Sequence, residues 1–200
     1  IVKLRPHQAN AVWRYLQSGV TYLAHEVGTG KTYTMIAAIM EAKRLGLAKK
    51  PVMSVVKSTI DQIRADFLKL YPGANVLVLH VPGNKKKRKK VLNRIATGEW
   101  DAVIMNHNSF EKIPLSPEAE REFINEEKRK LRAALEAANR EGAARHTVRD
   151  IENRLEKLEQ KLRALRDRET DDVPTMEEMG IDMVVVDEAH FRAKRIAKAL

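Results

Sequence analysis

Two short segments carry residue types able to handle a triphosphate. In Gly28-Thr29-Gly30-Lys31-Thr32, the glycines let the backbone approach an anion and turn its N–H groups toward it. Lys31 brings a point charge suited to the outer phosphates, and the Thr32 hydroxyl suits a magnesium ion. In Asp187-Glu188-Ala189-His190, two adjacent carboxylates follow an apolar run. Asp187 suits a hard cation that needs oxygen ligands, directly or through water. Glu188 suits the positioning and deprotonation of an attacking water. Neighbouring strand residues face opposite sides, so both roles require a strand end that is already turning. Together these residues describe a magnesium-dependent nucleoside triphosphatase. His190 reads as a link to the other side of the cleft, with a satisfied structural histidine as the alternative. His25 stands where the common phosphate-loop pattern has glycine. Glu26 is expected to orient the turn or contact Lys31; the alternative is a solvated loop carboxylate.

Positioning these groups needs a strand, a tight turn and a helix on one side and a strand end on the other. The spacing predicts a helix over 6–17, opened by Pro6, and a short strand over 20–24. The loop feeds a helix over 31–45, closed by Gly46. Further strands are predicted at 52–56, 76–81 and 102–105, separated by helices over 59–70 and 85–97, with Thr59 a candidate helix cap. The apolar run 183–186 suits a central strand buried on both faces. Alternating strands and helices imply an α/β fold with a mostly parallel sheet and right-handed crossovers.

Residues 118–141 and 146–169 break this rhythm as two charged helical stretches around Gly142. Ile151, Leu155, Leu158, Leu162 and Leu165 recur at alternating spacings of four and three, the seam of a coiled coil. Ile124, Leu131, Leu135 and Ala138 offer the matching stripe, so an antiparallel helical hairpin is expected; the alternative is one long helix pairing with another chain.

The charge is divided along the same lines. Of 37 basic and 27 acidic side chains, residues 111–172 hold 15 and 16, leaving 22 basic against 11 acidic elsewhere. That excess favours a polyanionic partner. The densest run, Lys85-Lys86-Lys87-Arg88-Lys89-Lys90, is read as an auxiliary nucleic-acid contact, Lys86 and Arg88 above all; the alternative is a solvated helix or loop. The chain has no cysteine, which excludes disulfides and thiolate metal sites and fits a reducing, cytoplasmic setting. No apolar stretch is long enough to span a membrane. Ile1 in place of methionine reads as an excised or processed fragment.

Leu4-Arg5-Pro6-His7-Gln8, Glu26-Val27-Gly28-Thr29-Gly30-Lys31-Thr32, Asp187-Glu188-Ala189-His190 and, more loosely, residues 100–107 together resemble superfamily 2 helicases. Within them, the chain looks like Snf2-like and DEAH-box-type translocases and the helicase domains of phage and bacterial DNA-modification proteins. The resemblance implies a RecA-like phosphate-loop domain, in two parts at 1–110 and 173–200, with an inserted helical hairpin at 111–172. It implies ATP and Mg²⁺ as cofactors, with Gln8 reading the adenine edge and Arg5 supporting that pocket; an amide can donate and accept at once. It implies nucleic-acid contacts after two strands, from Lys57, Ser58 and Thr59 and from Asn106, His107, Asn108 and Ser109. Such groups suit phosphate contacts that position a strand without reading it. Lys57-Ser58-Thr59 departs from relatives with a proline near that position.

Relatives hydrolyse ATP between two such domains, the second supplying arginines. No such later motif follows here, and Arg192, Lys194 and Arg195 lie too close to the acidic segment to replace it. The resemblance therefore implies a missing second domain, and weak nucleotide binding with very little turnover for this stretch alone. The expected whole is a DNA translocase or helicase; the alternatives are RNA remodelling, another class of phosphate-loop ATPase, or an assembly module whose hairpin docks a methyltransferase or nuclease.

Overall fold

The computed structural model describes residues 3–142, 144–166 and 173–188. Four parallel strands form the sheet, β1 (Pro51–Val55), β2 (Val76–Val78), β3 (Ala102–Asn106) and β4 (Met183–Val186), in the order β2-β3-β1-β4. Around them run α1 (Pro6–Ser18), α2 (Lys31–Arg44), α3 (Ile60–Leu70), α4 (Lys85–Thr97) and the single-turn α5 (His107–Phe110). A separate compact unit contains α6 (Pro117–Arg140) and α7 (Arg145–Arg166).

Strand alternation divides the sheet into two buried faces. Met53 and Val55 of β1 and Ala102 and Ile104 of β3 share one face with Met35, Ile36 and Ile39 of α2 and Ile63 and Phe67 of α3. The path from β1 to β2 crosses the sheet one way and the path from β2 to β3 returns, so right-handed connections place α3 and α4 on opposite faces. Leu92 and Ile95 of α4 are fully buried.

The strand expected at 20–24 does not form. The segment runs without helix or ladder, its exposure alternating residue by residue, because no described strand lies in hydrogen-bonding register with it. Nor is β4 central. It pairs only with β1, and Val184, Val185 and Val186 are half-buried, since one flank lacks a neighbouring strand among the described residues. The run expected over 76–81 keeps its ladder for three residues, with Leu79 N–H still donating to Ile104 at 3.1 Å.

Within the second unit, a short connection returns α7 along α6, and Lys128 and Arg132 meet Glu159 at 3.0 and 3.8 Å. The leucine and isoleucine positions spaced four and three apart on α7 are half-buried, as are Val148 and Glu159. The Lys128 ammonium bonded to Glu159 holds that carboxyl below its ordinary pKa. No described helix is long and apolar enough to cross a membrane.

Candidate nucleotide site

Local backbone conformation shapes the loop before α2. Gly28 and Gly30 adopt φ of +85° and +81°, left-handed values at which a side chain is strained. Gly30 caps α2, so the loop ends on the positive pole of a 14-residue helix. The Lys31 ammonium donates to the carbonyls of His25 at 2.9 Å and Glu26 at 3.3 Å. Glu26 therefore meets Lys31 through its main chain, and the same carbonyl accepts from the Thr29 hydroxyl at 2.8 Å.

The opening helix braces this loop. Gln8 is 5% exposed; its side-chain N–H groups donate to Thr29 and Gly30 carbonyls at 3.3 and 3.1 Å. Its oxygen accepts from the Arg5 N–H at 2.8 Å. The amide is thus engaged with the loop backbone. His7, given no role by sequence reasoning, adds a 3.0 Å bond from Nε2 to the Thr29 carbonyl and stacks edge-on with His25 at 5.5 Å. Its signal was its place beside Gln8 on the first turn of α1.

Across the cavity, β4 delivers the carboxylates. The Asp187 N–H donates to the Ser54 carbonyl at 2.9 Å, extending the ladder one residue past β4. Glu188 then takes φ of +51°, which is uncommon for a residue with a side chain, and its N–H donates to Asp187 Oδ1 at 3.1 Å. The chain therefore turns between the two carboxylates. Burial and the neighbouring Glu188 charge raise the Asp187 pKa, against a lowering by the Glu188 N–H bond and the charges of His107 and Lys31. Lys31, Thr34, Asp187 and Glu188 line one cavity of about 550 Å³, whose remaining wall is mostly apolar and includes Leu23 and Val185.

The other predicted contacts lie at the carboxyl ends of strands. Lys57 and Ser58 are exposed in a 3-10 turn just past β1. Thr59 does not cap α3 through its side chain; its hydroxyl donates back to the Val56 carbonyl at 2.9 Å. Asn106 ends β3 and caps α5, accepting from the Ser109 N–H at 2.8 Å. His107 opens α5 and its Nδ1 shares a 2.8 Å hydrogen bond with the Ser54 hydroxyl. Ser54 is fully buried and was also missed; a lone hydroxyl in the run Pro51-Val52-Met53-Ser54-Val55 was its signal, since a buried hydroxyl needs a partner. Lys86 and Arg88 occupy the first turns of α4, which follows β2 after residues 79–84. Ala189, His190, Arg192, Lys194 and Arg195 lie outside the described residues.

A protein-family profile described as a probable helicase domain matches residues 13–197, most of the chain and both halves of the cavity. The chain belongs to this helicase-domain family. It is also similar to the ISWI chromatin-remodeling complex ATPase ISW2 of Saccharomyces cerevisiae, with 37% identity over 87 residues. That stretch is 42% of this chain and 8% of ISW2, so the chain matches only a small part of that relative's length. Membership in the family is consistent with the parallel α/β sheet.

Proposed function

We propose that this chain is the nucleotide-binding half of an ATP-dependent DNA helicase or double-stranded DNA translocase, working on Mg–ATP when joined by a second motor domain. The observation that carries the reading is that Lys31 and Asp187, 156 positions apart, line one cavity, which runs along the open flank of β4 to its carboxyl end, the end of a strand where α/β folds bind ligands. The donor set fits a magnesium–triphosphate. Two left-handed glycines shape the loop beside the cavity, and a lysine that lines the cavity is held by loop carbonyls. Two adjacent carboxylates, one with a raised pKa, form a site that a divalent cation would relieve.

In this reading Gly28, Thr29 and Gly30 receive phosphate oxygens on their N–H groups, and Lys31 exchanges the His25 and Glu26 carbonyls for the outer phosphates. Thr32 and Asp187 hold the cation, which when bound neutralises charge on the triphosphate. Glu188, turned away from the strand direction, orients the attacking water. Arg5 and Gln8 would form the adenine side, with Gln8 exchanging some of its loop and Arg5 bonds for the base edge. Lys57, Ser58, Asn106 and His107 contact a nucleic-acid backbone, and Lys86 and Arg88 extend that surface. His190 couples the cleft to the second domain.

Binding of a fluorescent ATP analogue with magnesium tests the site directly. Lys31→Ala should weaken binding about ten- to a hundredfold, the scale of one charge-assisted hydrogen bond. Equal affinity in the variant would remove the phosphate role. Competition by GTP as strong as by ATP would remove the adenine role of Gln8 alone.

A further inference from the structure

One buried residue touches both of the surfaces that a motor must connect. Ser54 is wholly inaccessible, yet it has two polar bonds pointing in different directions. Its carbonyl accepts the Asp187 N–H at 2.9 Å, fixing the main chain of the acidic turn. Its hydroxyl shares a 2.8 Å bond with His107 Nδ1, fixing the imidazole that opens α5. The preceding residue, Asn106, anchors a second set of polar bonds along the sheet rim. Asn106 bonds to the Ser109 N–H at 2.8 Å and to His80 Nδ1 at 3.3 Å. Ser109 meets the same His80 nitrogen at 3.1 Å and accepts the Val81 N–H at 3.0 Å. The carboxyl ends of β4, β1 and β3 and the segment beyond β2 thus carry two sets of polar bonds, which meet at the peptide bond between Asn106 and His107.

We infer that Ser54 is a positioning residue that couples the Asp187–Glu188 turn to the His107 segment, so that engagement of a DNA backbone at the rim changes nucleotide affinity through the Ser54–His107 bond. The inference rests on the proposed function, because it needs both a nucleotide and a DNA partner. Its physical basis is that β1 and β3 are tightly registered, Ser54 opposite Met105 and Val55 opposite Asn106. A shift of the α5 opening therefore reaches Ser54 through a single hydrogen bond across two buried strands. The same residue that carries this hydroxyl carries the carbonyl under Asp187, so the movement is delivered to the acidic turn. Coupling of this kind is reciprocal: DNA alters nucleotide affinity by the same factor as nucleotide alters DNA affinity.

The test is a thermodynamic cycle of binding, without turnover. Affinity for a fluorescent, non-hydrolysable ATP analogue with magnesium is measured with and without a short DNA duplex, and duplex affinity with and without nucleotide. The wild-type chain should show a linkage factor of about fivefold or more, equal in both directions. Ser54→Ala should keep each separate affinity within about twofold while moving the linkage factor most of the way to one. Ser54→Thr, which retains the hydroxyl, should restore it, and thermal unfolding checks that each variant is folded. His107→Asn places an amide near the Nδ1 position and should retain more linkage than His107→Phe. Wild-type linkage of one, or unchanged linkage in Ser54→Ala, overturns the relay and leaves the nucleotide site standing. Absence of nucleotide binding by the wild-type chain overturns the proposed function and the relay together.

Discussion

At the scale of single residues, Asp187 is held in a form the fold resists. Burial and Glu188 raise its pKa, so the folded chain binds that proton more tightly than the unfolded chain does. The stabilising contribution of this protonation is complete below the unfolded carboxyl value and is lost as pH rises through the raised folded value. Asp187→Asn removes the charge at little steric cost. It should raise the unfolding midpoint by about 1–3 °C at neutral pH, with the gain shrinking toward pH ~4. Magnesium-dependent nucleotide binding should be lost in the same variant, the trade expected of a strained functional group. Thermal melts across pH decide this, and a variant less stable at neutral pH would contradict it. The loop glycines give a second, sharper comparison. A Cβ on Gly28 meets open space, whereas one on Gly30 would sit 2.4 Å from Gln8 Nε2. Gly28→Ala should cost about 1–2 kcal/mol from backbone conformation alone. Gly30→Ala should cost more, and the excess should shrink in a Gln8→Ala background, since contacting sites are not additive. Denaturant unfolding of the four chains measures the coupling, and strict additivity would separate Gln8 from the loop.

At the scale of elements, legibility followed how local each determinant is. The α7 stripe of Ile151, Leu155, Leu158, Leu162 and Leu165 is written within one helix, and those residues are half-buried as the spacing requires. The glycine turn and the helix that follows it were legible for the same reason: left-handed φ at Gly28 and Gly30 and a helix from Lys31 need no distant partner, whereas the strand expected before them does. Residues 20–24 were misread because alternating exposure describes an extended segment whether or not it has a ladder, and the ladder depends on a distant neighbour. β4 was placed at the centre on its four apolar residues, but centrality is set by what lies on both flanks. Ser54 and His7 escaped because their partners, His107 and Thr29, are 53 and 22 positions away. The α6–α7 unit makes its own prediction. Met176 N–H donates to the Pro114 carbonyl at 2.8 Å, so the two ends of the α/β unit that flank the insertion already meet. Replacing 115–172 by a short glycine-serine link should leave the unfolding midpoint of the α/β unit within about 3 °C. Calorimetry would show a single retained transition; loss of cooperative unfolding would mean that the insertion is needed for the core.

At the scale of the whole molecule, the distribution of charge separates the two units. Residues 111–172 are nearly neutral, whereas the remainder carries twice as many basic as acidic side chains. The cations of α4 occupy its first turns, which hold no acidic residue and where the helix dipole is unfavourable to positive charge. An anion bound there would offset both effects, and a nucleic-acid backbone would supply one without any base being read. Binding to DNA should therefore depend steeply on salt and little on sequence. The joint variant Lys86→Ala with Arg88→Ala should lower the slope of log affinity against log salt by about 1.8, near 0.9 for each phosphate that is no longer neutralised. The shortened chain lacking 115–172 should keep the parent slope, because the excess charge lies outside it. Titrations of one duplex at several salt concentrations measure both slopes. An unchanged slope in the double variant would return α4 to the role of a solvated helix, and a reduced slope in the shortened chain would move the polyanion surface onto the insertion.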